Sequence, residues 1–215
     1  MLIAPGSLLL FIGDSITDCG RARPAGGNTP GALGSGYVGL VDALLTADDP
    51  AGKVRVVNQG TGGHTVRDLR GRWDEDVLAH RPDWLVVMIG INDVWRQFDA
   101  PGQPERHVLP DEYEATLDAL LARTAPTLPG GLVVLTPFFV EPDRADPMRA
   151  LADRYGGIAR TLAARHGARC ADTQAAFDAA LAHLPPATLA PDRVHPTLIG
   201  HMLLARTFLR AVDLA

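Results

Sequence analysis

The chain has 215 residues, 47% of them hydrophobic and 21% charged, with a net charge of −5 at neutral pH. That is the composition of a globular protein with a sizeable core. It excludes extended disorder, and no uncharged apolar run reaches the ~20 residues that span a bilayer. The acidic balance excludes an affinity built on phosphate neutralisation, so neither nucleic acid nor a membrane is an expected partner.

In chain order, short apolar runs of strand length fall at Leu8–Ile12, Val54–Asn58, Trp84–Ile89, Leu132–Thr136 and Ala168–Asp172. They are nearly continuous in apolar residues rather than alternating, as strands buried on both faces of a parallel sheet are. Helical spacing marks Tyr37–Leu45, Val66–His80, Asp111–Arg123, Pro147–His166, Thr173–His183 and Thr197–Leu209. Five strands with intervening helices predict one domain over residues 1–215. Its expected architecture is a three-layer α/β/α sandwich, flavodoxin-like, with a five-stranded parallel sheet in the order 2-1-3-4-5. The remaining stretches Arg21–Ser35, Trp95–Pro110 and Pro137–Pro147 read as long loops after the carboxyl ends of strands, where such folds place ligands.

Cys19 and Cys170 form neither a CxxC pair nor a zinc spacing, so two buried or half-buried free thiols are expected, and no metal or cofactor. The apolar start Ser7–Gly13 has no basic residues before it, and cleaving it as a leader would destroy the motif that follows. A cytoplasmic location is the expectation.

That motif is Gly13-Asp14-Ser15-Ile16-Thr17-Asp18, directly after the first strand. A serine hydroxyl is a weak nucleophile until a base lies within hydrogen-bond reach and a third group orients that base. Near the other end, Asp192-Arg193-Val194-His195-Pro196 sets a carboxylate three residues before an imidazole, just ahead of the last helix. Acyl transfer also needs donors aimed at the developing oxyanion. The glycine run Asn58-Gln59-Gly60-Thr61-Gly62-Gly63-His64-Thr65 and the loop Gly90-Ile91-Asn92-Asp93 offer backbone N–H groups and a neutral carboxamide. Each feature alone is more often a turn, a helix cap or a surface ion pair. Together they make the full set that acyl transfer requires, on loops a parallel sheet gathers at one edge.

Three rival readings are weaker. Asp14, Asn58, Asp93 and His195 could be assembled into a metallophosphoesterase site, but no D-x-H or H-x-x-x-H pair seeds one. The glycine run fails as a dinucleotide loop, because Thr65 stands at the third glycine position, and no Walker lysine follows it. No G-x-S-x-G nucleophile elbow is present.

The four blocks resemble those of the SGNH (GDSL) hydrolase family, named for its Ser, Gly, Asn and His, and they span residues 13–195 in family order. The resemblance implies Ser15 as nucleophile, His195 as general base and Asp192 as its partner. It implies an oxyanion hole from Ser15, Gly63 and Asn92, and no cofactor. Leu9–Pro24, Pro82–Gln97 and Asp192–Ala205 are further similar to the intracellular bacterial acetylxylan esterases of the family. That similarity implies an acetylated oligosaccharide as the small-molecule ester substrate and is compatible with a homo-oligomer. A broad short-chain carboxylesterase or a lysophospholipase-like enzyme is the alternative. Gly62 and His64 stand where Ser and Asn are common in the family, and Pro191 stands where the near relatives lead one to expect an aromatic.

Overall fold

The apolar runs pair with one another because both sides of each must be covered: every residue of β1 (Leu8–Gly13) and β3 (Trp84–Met88) is buried. With β2 (Arg55–Gly60), β4 (Gly131–Leu135) and β5 (Arg169–Ala171) they form a parallel sheet in the order β2-β1-β3-β4-β5. The computed structural model describes residues 3–24 and 31–214. Segment 25–30 of the expected Arg21–Ser35 loop lies outside the described residues.

Helices flank the sheet in two packed sets. In one, α2 (Tyr37–Asp48) lies against α9 (Leu198–Ala211), which also contacts α7 (Thr173–Leu181). Phe11 of β1 meets Tyr37 and Phe208 there, with ring centroids 5.7 and 5.2 Å apart, and burying such a side chain contributes about 1.5–3 kcal/mol. In the other set, α5 (Pro110–Thr124) lies between α3 (Val66–Asp76) and α6 (Pro147–Arg165). The indole Nε1 of the fully buried Trp73 on α3 donates to Thr124 Oγ1 on α5 at 2.9 Å, satisfying the polar end of the ring.

The register does the work that matters for function. Gly13 is aligned with Gly60 on one side and with Met88 on the other. β2, β1 and β3 therefore end level, and the segments that follow them emerge side by side.

Four sequence expectations need correction. Trp95–Pro110 is not a loop throughout, because α4 (Ile91–Asp99) takes up its start and a 3-10 turn covers Pro104–Arg106. The first turn of α4 buries the polar Asn92 and Asp93, so its inward face does not stand out as apolar. The Val66–His80 helix stops at Asp76 and gives way to a 3-10 turn at Leu78–His80. Two four-residue helices, α1 (Ser15–Asp18) and α8 (Pro186–Leu189), went unpredicted because of their length. Cys170 is exposed rather than buried because β5 is the sheet edge; both thiols are free. Pro137–Pro147 stays non-helical but is anchored by the buried Phe138, Phe139 and Val140.

Candidate active site

Ser15 sits where β1 turns into α1. Asp14 caps that helix, its Oδ1 accepting from Ile16 N–H at 2.9 Å, so Ser15 becomes the first helical residue, half-buried at the sheet edge. Burial pushes the Asp14 carboxyl up to about 6, against the pull of the Ile16 amide and of nearby cationic groups. A buried side chain from the neighbouring strand braces the turn. Asn58 Nδ2 donates to Thr17 O at 2.7 Å and Leu33 O at 2.8 Å, while its Oδ1 accepts from Gly60 N–H at 2.8 Å.

Asp192 and His195 come from the turn before α9. Asp192 Oδ1 accepts from the backbone N–H of Val194 at 3.0 Å and of His195 at 2.7 Å, which curls the chain around its own carboxylate. Arg193 takes the left-handed conformation, φ 66°, that this curl requires. Its guanidinium is held 4.8 Å above the Phe139 ring and 2.8 Å from Glu141 Oε2, and Val140 N–H donates to Arg193 O at 2.9 Å. The loop after β4 is thus the shelf on which this turn rests. Asp192 Oδ2 meets His195 Nδ1 at 2.6 Å, and Nε2 lies 2.9 Å from Ser15 Oγ, 180 residues away in sequence. With Nδ1–H donated to Asp192, the bare Nε2 faces the hydroxyl and accepts from it. Partial burial raises the Asp192 carboxyl, but the His195 ring and the two amides outweigh it and hold the group below the ordinary carboxylate range.

Two further segments reach the same edge of the sheet. A Cβ on Gly62 would lie 3.9 Å from Ser15 Cβ, so the glycine run passes beside the serine. Gly63 has φ +78°, which only glycine adopts without strain, and its N–H meets no acceptor among the described residues. Gly90, at φ +132°, turns the end of β3 into α4 and brings Asn92 into the first helical turn, 2% exposed. Asn92 Nδ2 donates one hydrogen to His64 O at 3.0 Å; Oδ1 accepts from Arg96 Nη2 at 3.4 Å. The carboxamide is held from both ends, and its second N–H has no partner among the described residues. One turn on, the Trp95 ring stands 5.9 Å from the His195 ring.

Ser15, Asp192, His195, Gly63 and Asn92 therefore share one rim. Of the departures, Gly62 N–H donates to Asp18 Oδ2 at 3.3 Å and His64 Nδ1 accepts from Arg72 Nε at 3.1 Å, whereas Pro191 is exposed beside Asp192. Residues invoked for a metal site are committed elsewhere: Asn58 braces the serine turn and Asp93 Oδ1 accepts from Val66 N–H at 3.0 Å. Among the described residues no group of three or more His, Cys, Asp or Glu is placed to hold a metal ion. Phe138 and Phe139 after β4 are both core, Phe138 stacking on Phe177 at 4.3 Å.

Sequence reasoning missed Arg72, whose Nη2 donates to Gly13 O at 2.8 Å and Nη1 to Gln59 O at 2.7 Å, tying the ends of β1 and β2 together. It missed Arg96 as well. An arginine four residues after Asn92 on one helix face was the available signal, but in a chain with 20 basic residues it did not stand out.

A hydroxyl, imidazole and carboxylate in sequence, at the carboxyl edge of a β2-β1-β3-β4-β5 parallel sheet, define the class of protein: an α/β/α hydrolase with an SGNH-type fold. The chain belongs to the GDSL-like lipase/acylhydrolase family, whose model matches residues 11–203. It is 55% identical over 212 residues to an acetylxylan esterase of Geobacillus stearothermophilus, covering 99% of this chain and 96% of that one. A crystal structure of a catalytic mutant of that organism's acetylxylan esterase Axe2 superposes with a TM-score of 0.97 at 53% identity, over 100% of this chain and 98% of the other. The same TM-score, identity and coverage hold for LAE5, an alpha/beta hydrolase enzyme from the metagenome of Lake Arreo, Spain.

Proposed function

We propose that this protein is a serine esterase that removes acetyl groups from acetylated sugars such as xylo-oligosaccharides, through an acyl-serine intermediate. The observation that carries the reading is the unbroken chain from Ser15 Oγ through His195 Nε2 and Nδ1 to Asp192, with contacts of 2.9 and 2.6 Å.

His195 Nε2 takes the Ser15 proton as Oγ attacks the ester carbonyl. The carbonyl oxygen becomes an oxyanion, stabilised by the N–H groups of Ser15 and Gly63 and the free N–H of Asn92. His195 then returns the proton to the leaving sugar oxygen as the tetrahedral intermediate collapses to acyl-Ser15. Water attacks the acyl group with His195 again as base, and Ser15 is released with acetate. Asp192 stays ionised throughout, holding the ring's tautomer and stabilising the imidazolium.

The acetyl-sugar assignment draws its support from the acetylxylan esterase relatives, which match nearly the whole chain. A single domain, a cytoplasmic setting and a homo-oligomer belong to the same reading. Among the described residues no helix is long and apolar enough to cross a membrane.

The test compares hydrolysis of acetylated xylo-oligosaccharides with that of acetyl, butyryl and octanoyl esters of 4-nitrophenol. Acetyl esters should be fastest, the oligosaccharides should be turned over, and a serine-directed organophosphonate should add its mass to the peptide containing Ser15. Fastest turnover of the octanoyl ester would replace the acetyl-sugar reading with a lysophospholipase-like one, and label on another residue would remove Ser15.

A further inference from the structure

Asp93 follows the oxyanion-hole asparagine, is fully buried, and has no part in the proton chain. Its Oδ1 accepts from Val66 N–H at 3.0 Å, across 27 residues of sequence, while Oδ2 has no hydrogen-bond partner among the described residues. Leaving a buried carboxyl oxygen unpaired costs stability, which calls for a return elsewhere.

Helix capping does not provide that return. The amino end of α3 already has a capping box, in which Thr65 N–H donates to Asp68 Oδ2 at 2.8 Å and the Thr65 side chain accepts from the Asp68 amide. The Asp93 bond is an additional tie, and its place in the fold is specific. Asn92 grips His64 O at 3.0 Å, and the next residue of the same helix grips Val66 N. Two consecutive residues of α4 thus pin the loop immediately after Gly63, whose N–H is the other donor of the proposed oxyanion hole.

We propose that Asp93 is a positioning residue: it staples the start of α3 to α4 and thereby fixes the distance between the two oxyanion donors, Gly63 N–H and Asn92 Nδ2. The proposal rests on the esterase reading above. The staple needs an acceptor and no charge. Burial pushes the Asp93 carboxyl up to about 7, and the neighbouring Asp14 at the end of β1 and Asp68 on α3 push the same way. The phenols of Tyr113 on α5 and Tyr155 on α6 also adjoin it, both raised by burial and by the charge of Asp93 itself.

The experiment measures kcat and KM for 4-nitrophenyl acetate on the full chain and on Asp93→Asn, Asp93→Ala, Val66→Pro and the Asp93→Ala/Val66→Pro double variant, with a thermal melt for each. Val66 is the first residue of α3, where proline is tolerated, and the extended Thr65 before it suits a proline, so this change deletes the donor and keeps the helix. Asp93→Ala and Val66→Pro should each lower kcat by about ten- to a hundredfold with KM within about twofold, as misplaced positioning groups do. The double variant should be no worse than either, and Asp93→Asn, which keeps the acceptor, should stay within about threefold of the parent. Unchanged kcat in Asp93→Ala, additive losses in the double variant, or a loss in Asp93→Asn as large as in Asp93→Ala would each overturn the proposal. Should Asp93→Ala fail to fold, Val66→Pro and Asp93→Asn decide it. A parent protein that hydrolyses no ester refutes the esterase reading, whereas an active parent with unaffected variants refutes the staple alone.

Discussion

His195 and His166 each hold a carboxylate oxygen at 2.6 Å, yet they belong to different kinds of region. His195 pairs with Asp192 three residues away, inside a turn shaped by that carboxylate's own backbone hydrogen bonds. His166, just past the end of α6, pairs with Asp118 on α5 and so joins two helices, and Asp118 also meets Arg165 at 3.1 Å. Burial differs between the two but does not account for their roles, since the ring placed beside a hydroxyl is the more exposed one. The His195 side chain is 44% exposed and the His166 side chain 15%. What separates them is the other side of the ring: His195 presents its second nitrogen to Ser15 Oγ, and among the described residues its carboxylate meets no competing side-chain cation. An imidazole–carboxylate contact is scaffolding until a reactive hydroxyl completes it.

The two histidines should differ most in their effect on kcat. Ser15→Ala and His195→Ala should each lower esterase kcat by about 10⁴-fold or more, while His166→Ala should leave it within about twofold. Steady-state assays on the three variants check this; a comparable loss at His166 would dissolve the distinction. Asp192→Ala should do less harm, about ten- to a hundredfold less than His195→Ala, because the base itself remains and what is lost is its orientation and the charge behind the imidazole. Equal losses in the two variants would mean that Asp192 does more than orient and stabilise.

The same contrast shows what a sequence can reveal. The strands were legible because sheets covered on both faces demand unbroken apolar runs, and the observed order matches the expected one. The candidate site residues Ser15, Gly63, Asn92, Asp192 and His195 could be nominated because each lies in a short block whose spacing reflects local geometry: a strand-to-helix turn, a positive-φ glycine, a helix start, a curled carboxylate turn. Asp118–His166 and Asp93–Val66 could not be read, since both are made across 48 and 27 residues by packing that leaves no local pattern. Helix α4 went partly unseen for a related reason: its Asn92 and Asp93 are buried through contacts with the α3 loop, so its inward face does not look apolar.

The smallest expected effect lies at the scaffolding pair and concerns stability rather than rate. The Asp118 carboxyl titrates below its ordinary value, chiefly because it accepts from the His166 ring, with Arg165 adding to the pull against a small desolvation penalty. A depressed folded-state value means that the native state binds this proton less readily than the unfolded chain. The pair's contribution is therefore present above the unfolded carboxylate value near 3.8 and fades as pH falls through the lower folded value. Asp118→Asn should accordingly lower the melting temperature near neutral pH and converge on the parent in strong acid, with kcat untouched. Because the Asp118 side chain is 34% exposed, solvent screening holds the effect to at most about 1 kcal/mol, and raising the salt concentration should shrink it further. Melts across pH 3 to 8 at two ionic strengths check this, and a gap that widened toward acid would reverse the assigned sign.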